Sequence, residues 1–300
     1  MTSSAELRVE LLTRSTFPAA GTEVTCAVSG GADSLALLVL AVAAGLRVTA
    51  AHVDHGLRPG SAAEADVVAG AAARLGAGFR PLQATVEPGP NLEARARRAR
   101  FDVLPPDVLT GHTADDQAET VLVNLCWGAG LDGLAGMGPE GHPLLGLRRS
   151  ETAALCAAEG LTPVADPTNA DPAFRRNRVR HEALPLLADI ARRDVAAVVA
   201  RQAELLRADA DLLDGLAAAI DPTDAGALAA APVALARRAV RRWLTTPPAR
   251  GHHPPDAGAV ERVLAVARGE VRATEVTGIG RVSRSRGRLA LDASYRHADG

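Results

Sequence analysis

Val24-Thr25-Cys26-Ala27-Val28-Ser29-Gly30-Gly31-Ala32-Asp33-Ser34 runs straight into the apolar stretch Leu35-Ala36-Leu37-Leu38-Val39-Leu40. An apolar run, a glycine pair and a second apolar run predict strand, tight turn and helix in that order. Such a turn is a phosphate cradle. Gly30 and Gly31 let the backbone approach an anion with its N–H groups turned inward, and the helix adds its positive N-terminal end. Ser29 and Ser34 add hydroxyl donors. Asp33 would repel phosphate unless a divalent cation sits between them, as in many hard-oxygen sites. The stretch therefore points to ATP-like nucleotide with Mg2+. The plainer reading uses the same letters: a strand-to-helix turn with Asp33 or Ser34 as an ordinary cap. A mononucleotide phosphate loop of the usual kind is excluded, because it needs a lysine before its last Ser or Thr and this chain has none.

Residues 47–53 are the next expected strand, one βαβ crossover later, so the sheet is expected to be parallel. Ligands of such sheets bind outside the strands' carboxyl ends, where His52-Val53-Asp54-His55-Gly56-Leu57-Arg58 lies. Residues 79–84 and 108–112 give two further strands, and between them Asn91 caps an arginine-rich helix carrying Arg95 and Arg98. Gly128-Ala129-Gly130-Leu131-Asp132-Gly133 matches the dinucleotide fingerprint by letter. Context rejects it: the fingerprint follows a strand and opens a helix, whereas here a helix comes first, so residues 128–141 are expected to be a helix stop and a mobile loop. Pro143-Leu144-Leu145 is expected as a last short strand, and the later helices as broken near Pro185. The fold class expected is α/β: a doubly wound, mainly parallel sheet with helices on both faces, then a helical segment and a small α+β module. The expected divisions are a nucleotide-binding catalytic domain over 1–187, a helical connector over 188–221, and a C-terminal module over 222–300 that ends in a hairpin.

Three hundred residues with 47% hydrophobic content suffice for one α/β core and a smaller module. Every one of the 33 residues counted as Lys+Arg is arginine, which excludes chemistry through an enzyme lysine Schiff base. Cys26, Cys126 and Cys156 are widely spaced and odd in number, which fits neither a disulfide framework nor a zinc knuckle. No apolar run reaches the ~18 residues of a membrane span and the polar start does not resemble a signal peptide, so a cytoplasmic protein is expected. Charge is uneven: from Arg237 onward thirteen Arg stand against six acids, a net +7, leaving −9 before it. A polyanion held by the C-terminal part is compatible with that asymmetry.

His112-Thr113-Ala114-Asp115-Asp116-Gln117-Ala118-Glu119-Thr120 is the second concentration of function. Asp116 and Glu119, three apart, share a helix face, and the preceding strand end should face the same crevice as the phosphate loop. First-turn acids also suit a helix dipole with no further purpose. As chemistry, Asp116 could hold Mg2+ together with Asp33, Asp116 and Glu119 could grip a cationic amine, and His112 could position substrate or relay a proton. Arg176, Asn177 and Arg180 have helical spacing that suits contact with ATP or nucleic-acid phosphate. Arg95 and Arg98 could neutralise phosphate or simply be solvated.

The loop Ser29-Gly30-Gly31-Ala32-Asp33-Ser34 resembles that of the PP-loop ATP pyrophosphatases. Followed in order by the segment ending at Arg58, Asn91-Leu92-Glu93-Ala94-Arg95, Gly111-His112, Pro143-Leu144-Leu145, Asp166-Pro167-Thr168-Asn169 and Arg175-Arg176-Asn177-Arg178-Val179-Arg180-His181, it resembles the tRNA(Ile)-lysidine synthetase family over about residues 24–187. The resemblance implies ligation of free lysine to C2 of the wobble cytidine of an isoleucine tRNA with anticodon CAU, through an adenylated base, with ATP and Mg2+. It implies phosphate binding by residues 29–34 with Ala32 among them, adenine facing the backbone at Val28 and Val53, and phosphate or tRNA contact by Arg58, Arg95, Arg98, Arg176, Asn177 and Arg180. Two positions depart from the family pattern: Trp127 and His142 stand where arginine is usual. A PP-loop tRNA thiolase and a non-catalytic nucleotide-binding module are the alternatives. The first generally needs paired cysteines, and the second leaves the acidic helix without a role.

Overall fold

The computed structural model describes residues 3–54, 61–86, 89, 92–164, 171–245 and 255–294. Arg58, Asn91 and the Asp166-Pro167-Thr168-Asn169 motif lie outside them. The chain divides into two compact units, Met1–Arg207 and Ala208–Gly300.

In the first unit α1 (Ser4–Leu12) precedes an alternation of β1 (Glu23–Ala27), α2 (Ala32–Ala43), β2 (Arg47–Asp54), α3 (Ser61–Leu75), β3 (Gly78–Gln83), α4 (Leu92–Val103) and β4 (Leu109–Thr110). The strands pair in parallel in the order β3-β2-β1-β4. The chain winds one way from β1 to β3, then crosses back to place β4 on the other side of β1. Such a reversal opens a crevice at the carboxyl ends of the two strands, where doubly wound sheets take their ligands. Neighbouring residues along the strands enter opposite layers. Cys26 and Ala50 pack with α2, while Ala27, Ala51 and Val53 pack with Leu104 and Phe101. Leu35, Leu37, Leu38 and Leu40 are each 0% exposed, so α2 is apolar all round, as an interior helix must be.

Past β4 come α5 (Ala114–Cys126), α6 (Leu131–Leu134), α7 (Arg149–Ala158), α8 (Arg175–Arg178), a π-helical turn (Val179–Ala183), α9 (Leu184–Ala191) and α10 (Val195–Ala218). The π turn has a local cause. Pro185 lacks an N–H and its ring crowds the carbonyl four residues back, and the Leu184 N–H bonds to Val179 five residues back. Two expectations are corrected here. Residues 143–146 are turn, not strand: the Thr110 N–H bonds to the Gly141 carbonyl at 2.8 Å, but Pro143 has no N–H with which to continue a ladder. The glycine-rich stretch 128–141 is tethered rather than loose. The Gln117 amide donates to the Met137 carbonyl at 2.9 Å and accepts from the Met137 N–H at 2.8 Å, and Asn124 donates to the Gly133 carbonyl at 2.8 Å.

The second unit contains the end of α10, then α11 (Ala225–Ala230), α12 (Val233–Leu244), α13 (Ala257–Arg268) and a three-stranded antiparallel sheet, β5 (Ala273–Val276), β6 (Gly280–Ser285) and β7 (Arg288–Asp292). The hairpin expected at the end of this module is one strand short: residues 280–292 form a second hairpin of their own. Arg286 and Gly287 both have positive φ, 49° and 79°, and link the paired Ser285 and Arg288, which is the two-residue turn that matches strand twist. Val240, Val263 and Val282 anchor this unit's own core.

Candidate active site

A cavity of about 580 Å³ opens at the β1/β4 reversal, lined by Ser29 and Gly31, Ala32, Asp33 and Ser34 on one side and by Thr110, Gly111, His112, Asp116, Arg149 and Arg180 on the other. The phosphate-type loop and the acidic helix therefore share one space. Two glycines make this possible. Gly30 has φ +90° and its carbonyl accepts from the Val164 N–H at 2.9 Å. At Gly111 a Cβ would stand 2.5 Å from the Asp33 carbonyl oxygen, so only glycine lets β4 end this close to the start of α2. Ser34 closes the loop on itself, its hydroxyl donating to the Gly31 carbonyl at 2.8 Å and accepting from the Ser29 N–H at 3.2 Å. Val28 and Val53 also line the cavity, but the Val28 backbone is engaged: its N–H donates to Ala51 at 2.8 Å and its carbonyl meets His52 Nδ1 at 2.9 Å.

Each acid on α5 has a different environment. Asp115 takes Arg148 with both oxygens, at 3.0 and 2.7 Å, and accepts the Arg149 N–H at 2.8 Å. That clamp sets the start of α7 against the start of α5 and aims Arg149 at the cavity. Asp116 caps its own helix through Oδ2, which accepts the Thr113 N–H and hydroxyl, both at 2.9 Å. Its Oδ1 meets Arg149 at 3.0 Å and Arg176 at 3.2 Å. Glu119, 0% exposed, lies behind the cavity and not in it. Its carboxylate takes Arg149 at 3.2 Å, Arg176 at 2.8 Å and Arg180 at 2.6 Å. Asp33 accepts from the Thr152 hydroxyl and faces the Arg149 Nε at 3.4 Å.

The electrostatics follow. Burial pushes the Asp33 carboxyl above its ordinary value, and the Asp116 charge adds to the rise against the donors Thr152 and Arg149. Burial would raise Asp116 too, but Arg149, Arg176 and the Thr113 N–H outweigh it and hold Asp116 below the ordinary value. Burial pushes His112 down to about 3, against the pull of Asp116, so its ring is neutral at neutral pH. His112 and His142 both bring Nδ1 to the Thr110 hydroxyl, at 2.7 and 2.6 Å, with their rings edge to face. A hydroxyl has one hydrogen, so at least one of these rings donates Nδ1–H and carries its lone pair on Nε2.

Of the remaining sequence candidates, Asn177 is buried and donates to the Asp171 carbonyl at 2.9 Å, Arg95 donates to the Gly89 carbonyl, and Arg98 is exposed. None of these three lines the cavity. Arg100, from the same helix, does, as do Arg149 and Val164; burial lowers the Arg100 pKa. Arg100, Arg149 and Thr152 were not singled out from sequence. The spacing of Arg100 along the helix was available as a signal, but nothing local marks Arg149 or Thr152. Mg2+ usually takes one or two carboxylates and completes its shell with substrate phosphates and water. Asp33 and Asp116 supply that number, and no group of three or more His, Cys, Asp or Glu side chains suited to a metal occurs among the described residues.

Residues 1–187 match the PP-loop domain family model. The chain is 44% identical to a tRNA(Ile)-lysidine synthase of Nocardia farcinica over 93% of its own length and 95% of that protein's. It is 47% identical to one of Rhodococcus erythropolis over 74% of this chain and 73% of that one, and 44% identical to one of Mycobacterium tuberculosis over 81% of each. Among solved structures, the U34-tRNA thiolase NcsA from Methanococcus maripaludis superposes with a TM-score of 0.52 over 68% of this chain and 79% of that one. At 16% identity that likeness shows the fold alone. With the PP-loop domain matched over residues 1–187 and a relative 44% identical over 93% of its length, the chain belongs to the PP-loop family of tRNA(Ile)-lysidine synthases.

Proposed function

We propose that this chain is an ATP-dependent ligase that joins free lysine to C2 of the wobble cytidine of the isoleucine tRNA with anticodon CAU. The observation that carries the reading is the shared cavity: the 29–34 loop, Asp116 and Arg180 face one another across about 580 Å³. Two steps fit it. In the first, the cytosine O2 bonds to the α-phosphorus of ATP and the bond to the β-phosphate oxygen breaks, releasing pyrophosphate. In the second, the lysine ε-amine bonds to C2, the C2–O2 bond breaks, AMP leaves, and the amine gives up its proton.

The loop amides and the amino end of α2 bind the departing pyrophosphate. Asp33 and Asp116 would hold Mg2+, which when bound offsets charge on the phosphates. Arg149 and Arg180 project from the wall and can exchange a carboxylate for phosphate. Glu119 acts as a positioning residue that holds those arginines in place. A neutral His112 with an Nε2 lone pair is suited to accept the amine proton directly or through water. The C-terminal module over 222–300 is the tRNA-binding part by its excess of arginine, thirteen against seven acids, and the whole reaction is cytoplasmic. Among the described residues no helix is long and apolar enough to cross a membrane.

Transfer of sulfur finds less support. All three cysteines are free, and burial pushes the thiols of Cys26 up to about 12 and Cys156 up to about 11. The test is incorporation of labelled lysine into the tRNA by purified protein with ATP, using Asp33→Ala as control. Label in the wild-type product alone supports the assignment, and no label with any isoleucine tRNA overturns it.

A further inference from the structure

Outside the cavity, Trp127 at the end of α5 is 66% exposed, together with Leu186 at 60%. Trp127 lines an open groove of about 410 Å³ together with the apolar Val123, Cys126, Val179, Ala183 and Leu186 and with Arg175, Arg178 and Glu182. The Arg175 guanidinium lies over the indole, 4.6 Å from its centroid. Among the described residues Arg175 has no carboxylate partner, whereas its neighbour Arg178 is paired with Glu182 at 2.8 Å. Excess positive charge, a large flat ring and apolar side chains on one surface are the features of a site for an unpaired nucleobase: the π face stacks and the cation meets the backbone phosphate.

The placement narrows the ligand further. α8 and the π turn have two working sides. Arg176 and Arg180 turn inward to Glu119, and Arg180 lines the cavity. Arg175, Arg178 and Val179 turn toward the groove. The cavity and the groove thus share this short segment of the chain, so a nucleotide next to one held in the cavity can meet the groove by passing over it. The geometry points to Trp127 and Arg175 as a stacking platform for an unpaired base of the substrate tRNA, flanking the base that is modified. This rests on the tRNA reading above and adds to it a recognition element outside the reaction centre.

The test compares full-length wild type with Trp127→Ala, Trp127→Tyr and Arg175→Ala, using an isoleucine tRNA transcript with anticodon CAU and, separately, ATP. Loss of one base–aromatic stack should weaken tRNA binding of Trp127→Ala by about tenfold or more, while tyrosine keeps it within about twofold. Arg175→Ala should weaken it less, and ATP affinity should be unchanged in all three. Transcripts made abasic at single anticodon-loop positions should erase the difference between wild type and Trp127→Ala at one position. Wild-type tRNA affinity in Trp127→Ala overturns the proposal. So does equal weakening by Ala and Tyr, which marks packing and not stacking, or a changed oligomeric state in Trp127→Ala, which assigns the groove to a second copy of the chain. A wild-type protein that binds no tRNA instead sinks the reading beneath.

Discussion

Two glycine-rich stretches of this molecule look alike as letters and do opposite work. Residues 29–34 follow β1 and open α2, and all of them but Gly30 line a cavity. Residues 128–141 follow α5, and their polar groups turn inward to Gln117 and Asn124. What distinguishes a ligand loop is the element before it. A strand's carboxyl end leaves the loop facing the crevice of the sheet, whereas a helix end folds its loop back along the helix that made it.

The comparison breaks first at Asp33, and the largest effect is expected there. Asp33→Asn should cut tRNA-dependent pyrophosphate release by about a hundredfold or more. The same change should raise the thermal midpoint at neutral pH. Because the folded-state pKa of Asp33 is raised by burial, ionising it costs stability, and the fold gains as the pH falls through that value. Asp116 has the opposite sign: its pKa is lowered by Arg149 and Arg176 against burial. Its contribution is present above the unfolded carboxylate value and is lost as the pH falls through the lower folded one. Urea midpoints of wild type and Asp116→Asn measured across acid pH should converge below that point.

Next in size is Gly111→Ala, where a Cβ 2.5 Å from the Asp33 carbonyl should cost about 1–3 kcal/mol as overpacking and reduce ATP affinity together with stability. Gln117→Ala removes the Met137 tether and should cost about 1–3 kcal/mol, with faster hydrogen exchange at the Met137 amide and unchanged ATP binding. The smallest and sharpest test is a pair. Gly30→Ala and Gly128→Ala both place alanine at positive φ, +90° and +73°, at about 1–2 kcal/mol each. Calorimetry should find ATP affinity lowered only by the first. Equal losses would dissolve the distinction between the two stretches.

The sheet was legible because its signals are local: β1, the turn and α2 are carried by periodicity and two glycines. The cavity was half legible. The helical spacing of Asp116 with Glu119, and of Arg176 with Arg180, put each pair on one face, but not the meeting of the two faces around a buried carboxylate. Arg149 left no trace in a chain with 33 arginines. Which of Arg148 and Arg149 reaches the cavity is decided by Asp115, which binds the first; the contact of Arg149 with Asp33 spans 116 positions. The third strand of the C-terminal sheet was hidden by Arg286, a residue that does not advertise positive φ.

Asp33, Asp116 and Glu119 are matched one for one by Arg149, Arg176 and Arg180. That cluster thus carries its own counter-ions, and Arg100 adds one further positive charge to the wall. An incoming polyphosphate meets guanidinium groups that are already oriented and need only change partners, so few mobile ions are expelled when it docks. ATP affinity should therefore depend only weakly on ionic strength, leaving the salt sensitivity of the enzyme to the nucleic acid.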